Sequence, residues 1–140
     1  MAHESFDMAA GGAGAPSAGV DMGGYTLFDD ASLAARNTLR VAARAARLVE
    51  LRDVASLPAV LEYGLLPDHP LLALGEGSNI LFAGDYPGNV LVMATRGVHV
   101  ESDAAGEHIE VAAGERWDDF VRWTLAQGYA GLENLIMIPG

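Results

Sequence analysis

The chain has 140 residues, of which 51% are hydrophobic, and a formal net charge of -11 at pH 7. This length suits one modest domain with a real core, and the negative charge disfavours a nucleic-acid partner, whose phosphates are bound by clustered lysine and arginine. The absence of cysteine excludes disulfides and thiolate metal sites, and the absence of lysine excludes a P-loop lysine and Schiff-base chemistry.

Membrane and metal partners are not predicted either. No apolar run approaches the roughly 20 residues that span a bilayer, and the N-terminus lacks the basic start and apolar stretch of a secretory signal. We therefore expect a cytoplasmic location. The four histidines are scattered and form no close pair that could hold a metal: His3, His69, His99 and His108.

The first segment of the chain reads as a tail. Residues 1–24 are rich in Gly, Ala, Met and Ser without periodicity, which predicts disorder. Residues 25–140 form the folded part. From Tyr25 to about Arg47 the chain is rich in alanine and arginine, and both a helix and an extended lead-in to a strand fit this composition.

A strand, a helix and a second strand are predicted next. Residues 48–51 are compatible with a strand, and Ser56 is a plausible N-cap for a helix that stops before Gly64. A second apolar run follows at residues 71–74, after about the length that a crossover helix requires. This pattern predicts a β-α-β unit, which is right-handed if the strands are parallel.

Further strands follow a glycine-rich segment. Strands are predicted at residues 80–82 and 90–94, with a turn at residues 83–89 between them. Residues 108–114 alternate cleanly, which predicts a half-buried strand with Ile109 and Val111 on one face.

The last predicted element is an amphipathic helix at residues 117–127. Asp118 and Asp119 lie near its positive end, where they suit the helix dipole rather than an acid/base dyad, and Gly128 ends it. Its apolar face comprises Trp117, Phe120, Val121, Thr124 and Leu125. The order of elements predicts an α+β domain rather than a doubly wound sheet.

The segment "GEGSN", residues 75–79, lies between two apolar runs. The dinucleotide fingerprint requires a third glycine where Ile80 stands, and the P-loop requires a lysine, so both motifs fail. Gly75 and Gly77 nevertheless permit positive φ and close approach to a ligand, and successive N–H groups in such a turn can bind an anion. An ordinary tight turn, whose Ser78 and Asn79 satisfy their own backbone, fits the segment equally well.

Several segments together resemble a known enzyme family. These are "NTL" at residues 37–39, "LGEGSNILF" at 74–82, "GVHVE" at 97–101, and the stretch from 111 to 140 that ends in "GLENLIMIPG". In this order and spacing they resemble the UDP-N-acetylenolpyruvoylglucosamine reductases, flavoenzymes of peptidoglycan precursor synthesis. Leu39 stands where that family usually has an aromatic residue.

The resemblance implies a fold, a cofactor and a reaction. The fold is the FAD-binding domain of the vanillyl-alcohol-oxidase (PCMH) type, of which this chain would be the first subdomain, truncated. The family reduces the enolpyruvyl group of a UDP-sugar with a hydride that NADPH delivers through FAD. The expected partners are therefore FAD, NADPH and a small UDP-sugar, with no nucleic acid, membrane or metal.

The resemblance also implies candidate flavin contacts. Within the loop, Gly75, Gly77, Ser78 and Asn79 are expected contacts, Ile80 offers a backbone N–H, and Leu74 and Glu76 shape the turn. At the far end, Ile138, Pro139 and Gly140 are expected near the flavin. Replacing Gly77 by valine is expected to abolish flavin binding while leaving the protein folded.

No catalytic residue is assigned, because the serine, arginine and glutamate of the family belong to segments that this chain does not match. We expect the isolated chain to bind FAD weakly or not at all and to oxidise no NADPH. Two alternatives remain open: another oxidase of the same fold, and a truncated remnant without turnover. For Glu133 and Asn134, positioning the final loop and forming a polar surface turn are equally plausible, whereas Arg96 is expected to be solvated.

Overall fold

A computed structural model describes residues 18–138 of the chain. Five strands form its main sheet: β1 (Val20–Asp21), β2 (Tyr25–Ser32), β3 (Arg44–Leu51), β4 (Leu71–Leu74) and β5 (Tyr86–Met93). Their order across the sheet is β1-β2-β3-β5-β4. The β1/β2 and β2/β3 pairs are antiparallel, whereas β3 and β4 are each parallel to β5.

The remaining elements are a hairpin and short helices. The hairpin pairs β6 (Val98–Asp103) with β7 (Gly106–Val111). Helix α1 (Leu57–Ala59) continues into a π-helical turn (Val60–Gly64), and α2 (Trp117–Ala126) is the longest helix described. Three 3₁₀ turns complete the elements: Ala34–Arg36, Val54–Ser56 and Glu133–Leu135. The mixed class predicted from the sequence is therefore confirmed.

The central strand of the parallel part is β5. Strands β3 and β4 run parallel, as the β-α-β pattern predicts, but β5 lies between them. Residues 88–92 of β5 are all buried, which suits a strand covered on both faces. The connection from β3 to β4 therefore crosses the position that β5 occupies between them.

Two hydrophobic clusters cover the two faces of the sheet. One contains Leu48 and Val90, and the other contains Val49 and Leu91. Each cluster takes alternate residues of β3 and β5, because successive side chains of a strand point to opposite faces. Val60 of the π-helical turn closes the second cluster and is fully buried.

The predicted disordered tail is wrong for Val20 and Asp21, which form β1. They pair with Leu27 and Thr26 of β2, and Asp21 also bonds to the Arg52 guanidinium at 2.6 Å. The contact with Arg52 spans 31 residues, so local composition could not reveal it. Residues 1–17 lie outside the described residues.

The predicted N-cap at Ser56 is also wrong in its chemistry. Ser56 precedes α1 but makes no side-chain capping hydrogen bond. Its hydroxyl lies against Gly24, where an added Cβ would sit 2.0 Å from it. The carboxylate of Asp53 caps the preceding 3₁₀ turn instead, accepting from the Ala55 N–H at 3.0 Å.

Residues 80–82 do not form the predicted strand. They pair with no described strand, although Phe82 is only 7% exposed and Ile80 packs against the first cluster. The predicted turn at residues 83–89 is too long, since β5 begins at Tyr86. Asn89 explains the difference: its side chain bonds to both backbone groups of Leu66, which fixes the strand against the preceding loop.

Helix α2 confirms the predicted periodicity. It spans Trp117–Ala126 and buries Phe120, Val121 and Thr124. Leu125, predicted on the same face, is 43% exposed. In the hairpin, Ile109 and Val111 are half-buried as predicted.

Candidate functional site

The glycine-rich loop follows β4 directly, at the carboxyl end of the parallel strands. In sheets with parallel strands, ligands bind outside these carboxyl ends. Gly77 adopts a φ of +69° and is buried, whereas positive φ is not found at Gly75. The turn conformation predicted from the sequence is therefore present, with the left-handed residue at Gly77.

This loop packs against residues 36–38. The backbone N–H of Thr38 donates to the carbonyl oxygen of Gly77 at 3.2 Å. A Cβ on Gly77 would lie 2.1 Å from the Arg36 carbonyl oxygen and 2.8 Å from the Asn37 Cα. Glycine thus fits where the chain packs against itself, and this close approach counts against the expectation that valine leaves the protein folded.

Asn37 anchors the segment that supports the loop. Its side chain is 3% exposed. Its amide nitrogen donates to the carbonyls of Leu33 and Val41, and its amide oxygen accepts from the Val41 N–H at 2.9 Å. The "NTL" segment therefore has a structural role beside the loop, which the sequence showed only as part of a resemblance.

A cleft of about 740 Å³ opens beside the loop, within the range of roughly 300–1,000 Å³ typical of ligand sites. Its walls are residues 35–38 and Arg40, the two residues that follow β4, the end of β5, and residues 113–117 at the start of α2. Gly114 allows the last wall to pack closely, because a Cβ there would lie 2.4 Å from the Thr95 carbonyl oxygen. Gly75 and Glu76 of the predicted loop line this cleft.

The cleft collects half of the basic residues of an otherwise acidic chain. They are Arg36, Arg40, Arg96 and Arg116. Two carboxylates, Glu76 and Glu115, line it as well. The sequence held a signal for this cluster, because each of these arginines lies within or directly beside one of the segments that carry the resemblance.

Three of the four arginines form ion pairs within the chain. Arg36 pairs with Glu50, and Arg96 pairs with Glu115 at 3.2 Å. Arg116 pairs with Glu76 at 2.7 Å, which ties the glycine-rich loop to the start of α2 and raises the pKa of the arginine. Arg96 was predicted to be solvated; its side chain is 60% exposed, but it pairs with Glu115.

Glu115 is held as a carboxylate by its neighbours. The backbone N–H of Gly97 donates to it at 2.7 Å. This hydrogen bond, with a smaller contribution from Arg96, lowers the pKa of Glu115 below its ordinary value of 4.5, although partial desolvation opposes the shift. The contact fixes the turn before β6 against the wall formed by residues 113–117.

A second, smaller concavity of about 270 Å³ lies on the other side of the loop. Of the predicted flavin contacts, it is lined by Leu74, Gly75, Gly77, Ser78, Asn79 and Ile80. The loop therefore separates two concavities, and Gly75 lines both.

The last described residues are tied to the start of α2. The indole N–H of Trp117 donates to the Leu135 carbonyl at 2.6 Å, and the Asp118 carboxylate accepts from the Met137 N–H at 2.7 Å. Ile138 is 44% exposed and lines neither concavity. Pro139 and Gly140, also predicted near the flavin, lie outside the described residues.

Four polar residues discussed in the sequence analysis lie on α2 and the turn near the C-terminus. Glu133 accepts a hydrogen bond from the Gly131 N–H at 2.5 Å, so it braces the turn in which it lies. Asn134 is exposed on the same turn. Asp118 and Asp119 lie in the first turn of α2, and Asp118 serves as a backbone acceptor.

Within residues 18–138, no group of three or more His, Cys, Asp or Glu side chains is placed to hold a metal ion. Over the same residues, no helix has the length and apolar character needed to cross a membrane.

The basic side chains of the cleft suit an anionic ligand. Guanidinium groups form paired, charge-assisted hydrogen bonds with phosphate. Four arginines accompany the glycine-rich loop along this cleft.

Comparison with known families gives a direct match. Residues 45–140 match the model of a family described as FAD binding domain. The matched residues include β3, β4, β5, the glycine-rich loop and the whole of α2.

Individual proteins with similar sequences share one name. The UDP-N-acetylenolpyruvoylglucosamine reductase of Chromobacterium violaceum is 46% identical over 79% of this chain and 33% of its own length. The Azoarcus sp. protein of that name is 46% identical over 81% of this chain and 34% of its own length. The Escherichia coli protein is 38% identical over 78% of this chain and 32% of its own length. The chain thus spans about a third of the length of these curated relatives.

Proposed function

This chain belongs to the FAD binding domain family, and we propose that it supplies the flavin-binding part of a UDP-N-acetylenolpyruvoylglucosamine reductase. One observation carries the proposal: the glycine-rich loop and four arginines meet in one cleft at the carboxyl ends of the parallel strands. The similarity to reductases of that name, at 46% identity over 79% of the chain, supports the choice of enzyme.

The residues of this chain would hold FAD chiefly through its diphosphate. The loop residues Leu74 to Ile80 would contact the diphosphate and adjoining ribose, with Gly75, Gly77, Ser78 and Asn79 closest. The cleft arginines would balance its negative charge. Ile138, Pro139 and Gly140 would approach the flavin from the other end of the domain. This arrangement is that of a PCMH-type FAD-binding domain, of which we propose this chain forms the first subdomain.

When bound, FAD supplies hydride transfer. The contribution of this chain is to bind the cofactor, fix its orientation and cover part of it from water. In the complete reaction NADPH is the proposed hydride donor, and the substrate is a UDP-sugar that becomes UDP-N-acetylmuramate for the cell wall. The proposed location is the cytoplasm. The catalytic groups for the substrate would belong to the two thirds of the relatives that this chain does not match.

The first experiment titrates the 140-residue chain with FAD and measures binding by the quenching of flavin fluorescence. We expect weak, saturable binding that ADP displaces, because ADP carries the same diphosphate. We expect no oxidation of NADPH by the chain and FAD together. FAD binding that ADP does not displace, or turnover with NADPH by the chain alone, would contradict the proposal.

The second experiment tests which enzyme the chain belongs to. In a chimera, residues 25–138 replace the matching third of the C. violaceum reductase. We expect this chimera to hold FAD and to reduce UDP-N-acetylenolpyruvoylglucosamine with NADPH. The unmodified reductase is the matched control. A chimera that is folded and yellow but inactive towards this substrate would favour another oxidoreductase of the same fold.

A further inference from the structure

Arg40 has an unusual backbone conformation for its residue type. Its φ is +55°, in the left-handed region that costs a non-glycine residue about 1 kcal/mol or more. The conformation arises at the end of the turn built by Asn37, whose carbonyl oxygen accepts from the Arg40 N–H at 3.2 Å. Strain of this kind persists when the surrounding structure imposes it, and it is concentrated at functional sites.

Arg40 is also the arginine of the cleft whose charge is not balanced. Arg36, Arg96 and Arg116 each pair with a carboxylate of the chain. For Arg40, which is exposed, no ion pair or side-chain hydrogen bond is found with any residue that the structure describes. A guanidinium that lines a concave site without a partner is available to an incoming anion.

We propose that Arg40 binds a nucleotide diphosphate in this cleft, and that it is the residue through which the cleft recognises that group. The inference rests on the proposed function, because the cleft is taken to be the FAD site. A diphosphate is present both in FAD and in the UDP moiety of the proposed substrate. Arg36, Arg96 and Arg116 add to the positive charge of the cleft, but their ion pairs with carboxylates of the chain also hold its walls together.

The strain at Arg40 separates this role from a structural one. Glycine at this position would remove both the strain and the charge. If Arg40 is present for its charge, Arg40→Gly raises the melting temperature of the free protein and weakens its binding of diphosphates. If Arg40 supports the fold, the same change lowers both the melting temperature and the binding of diphosphates.

The experiment compares the 140-residue chain with Arg40→Gly, Arg40→Gln and the control Arg122→Gln. Arg122 is an exposed arginine of α2 outside the cleft. Each protein is titrated separately with FAD, UDP and riboflavin, which has no phosphate, at several salt concentrations. We expect both Arg40 variants to bind the diphosphate ligand about tenfold more weakly, the loss typical of one charged hydrogen bond, and with a shallower salt dependence. Riboflavin binding and the control should match the parent.

The possible outcomes test the proposed function and the inference about Arg40 separately. Weaker FAD binding assigns the diphosphate of FAD to Arg40, and weaker UDP binding alone assigns that of the substrate. Unchanged binding of both in the Arg40 variants, or an equal loss for riboflavin, overturns the inference while leaving the proposed function in place. A parent that binds UDP but not FAD overturns the proposed function and not the inference. A parent that binds neither overturns the inference, and the chimera then decides the proposed function.

Discussion

The backbone N–H of Thr38 donates to the carbonyl oxygen of Gly77 across 3.2 Å. This bond joins two loops that are 39 residues apart in the chain, and both loops form walls of the cleft. The left-handed conformation of Gly77 presents its carbonyl to Thr38 and brings its Cα against the Arg36 backbone. The geometry of the proposed cofactor site therefore depends on how one glycine packs against the backbone of residues 36–38.

Gly77→Ala is expected to lower the free energy of unfolding by at least about 2 kcal/mol, because alanine is strained at positive φ and its Cβ collides with a backbone oxygen. Chemical denaturation at 25 °C measures this change. FAD binding should fall as well, since the loop must shift. Variants of two other glycines separate the cost of positive φ from the cost of the Cβ collision.

Gly84→Ala serves as the first control, because Gly84 has open space around it and lies in the next loop. Gly128→Ala serves as the second, because its φ is +84° but a Cβ would meet nothing within 4 Å. We expect almost no change for Gly84→Ala and a loss of about 1 kcal/mol for Gly128→Ala, the cost of positive φ alone. A loss for Gly77→Ala no greater than for Gly128→Ala would show that the loops can separate at little cost.

Asn37→Ala should destabilise the protein by about 3 kcal/mol, because it removes three hydrogen bonds to the backbone of Leu33 and Val41, each contributing about 1 kcal/mol. The same denaturation experiment measures the loss. Asn134→Ala is the matched control, since Asn134 is exposed on a surface turn and should change little. Equal stabilities of the two variants would mean that water replaces the lost hydrogen bonds.

Local patterns predicted the elements whose cause is local. The apolar run at residues 71–74 gives β4 with the bounds observed, and the helical period from Trp117 gives α2 to within one residue. Gly77 has the positive φ that its turn implied. In each of these cases the residues that determine the conformation are neighbours in sequence.

Features set by distant contacts could not be predicted from the sequence. An apolar run predicted a strand at residues 80–82, but β4 already has its partner in β5, so Phe82 fills the core from a loop. The insertion of β5 between β3 and β4 depends on burial along both faces. The four cleft arginines come from three separate segments, and only the fold brings these segments together.

Glu115 predicts a pH dependence of stability. Its pKa is lower in the folded protein than its ordinary value of 4.5, so its carboxylate stabilises the fold above that pH. The stabilisation is lost as the pH falls below 4.5 towards the folded pKa. In Glu115→Gln the amide oxygen can still accept from the Gly97 N–H, but it does not titrate. The difference in unfolding free energy between parent and variant should therefore be greatest near neutral pH and shrink on acidification.

Denaturation at pH values from 7 to about 3 tests this dependence. Glu110→Gln is the control, because Glu110 is an exposed carboxylate of β7. Its difference from the parent should stay small throughout. A Glu115→Gln difference that does not change with pH would mean that the hydrogen bond, and not the charge, gives Glu115 its effect.

Variants of Glu76 and Arg116 test whether Glu76 acts through its charge or by holding the loop in shape. Their ion pair is 2.7 Å long and exposed, so its charges are screened by salt. Glu76→Gln removes one negative charge from a cleft proposed to bind a diphosphate and releases Arg116 to contact it. We therefore expect tighter FAD binding at low salt, and an advantage that disappears near 1 M salt, where the screening length is about 3 Å. Arg116→Gln should have the reverse effect at low salt. If Glu76 instead holds the loop in shape, both variants bind FAD more weakly, and the loss persists at high salt.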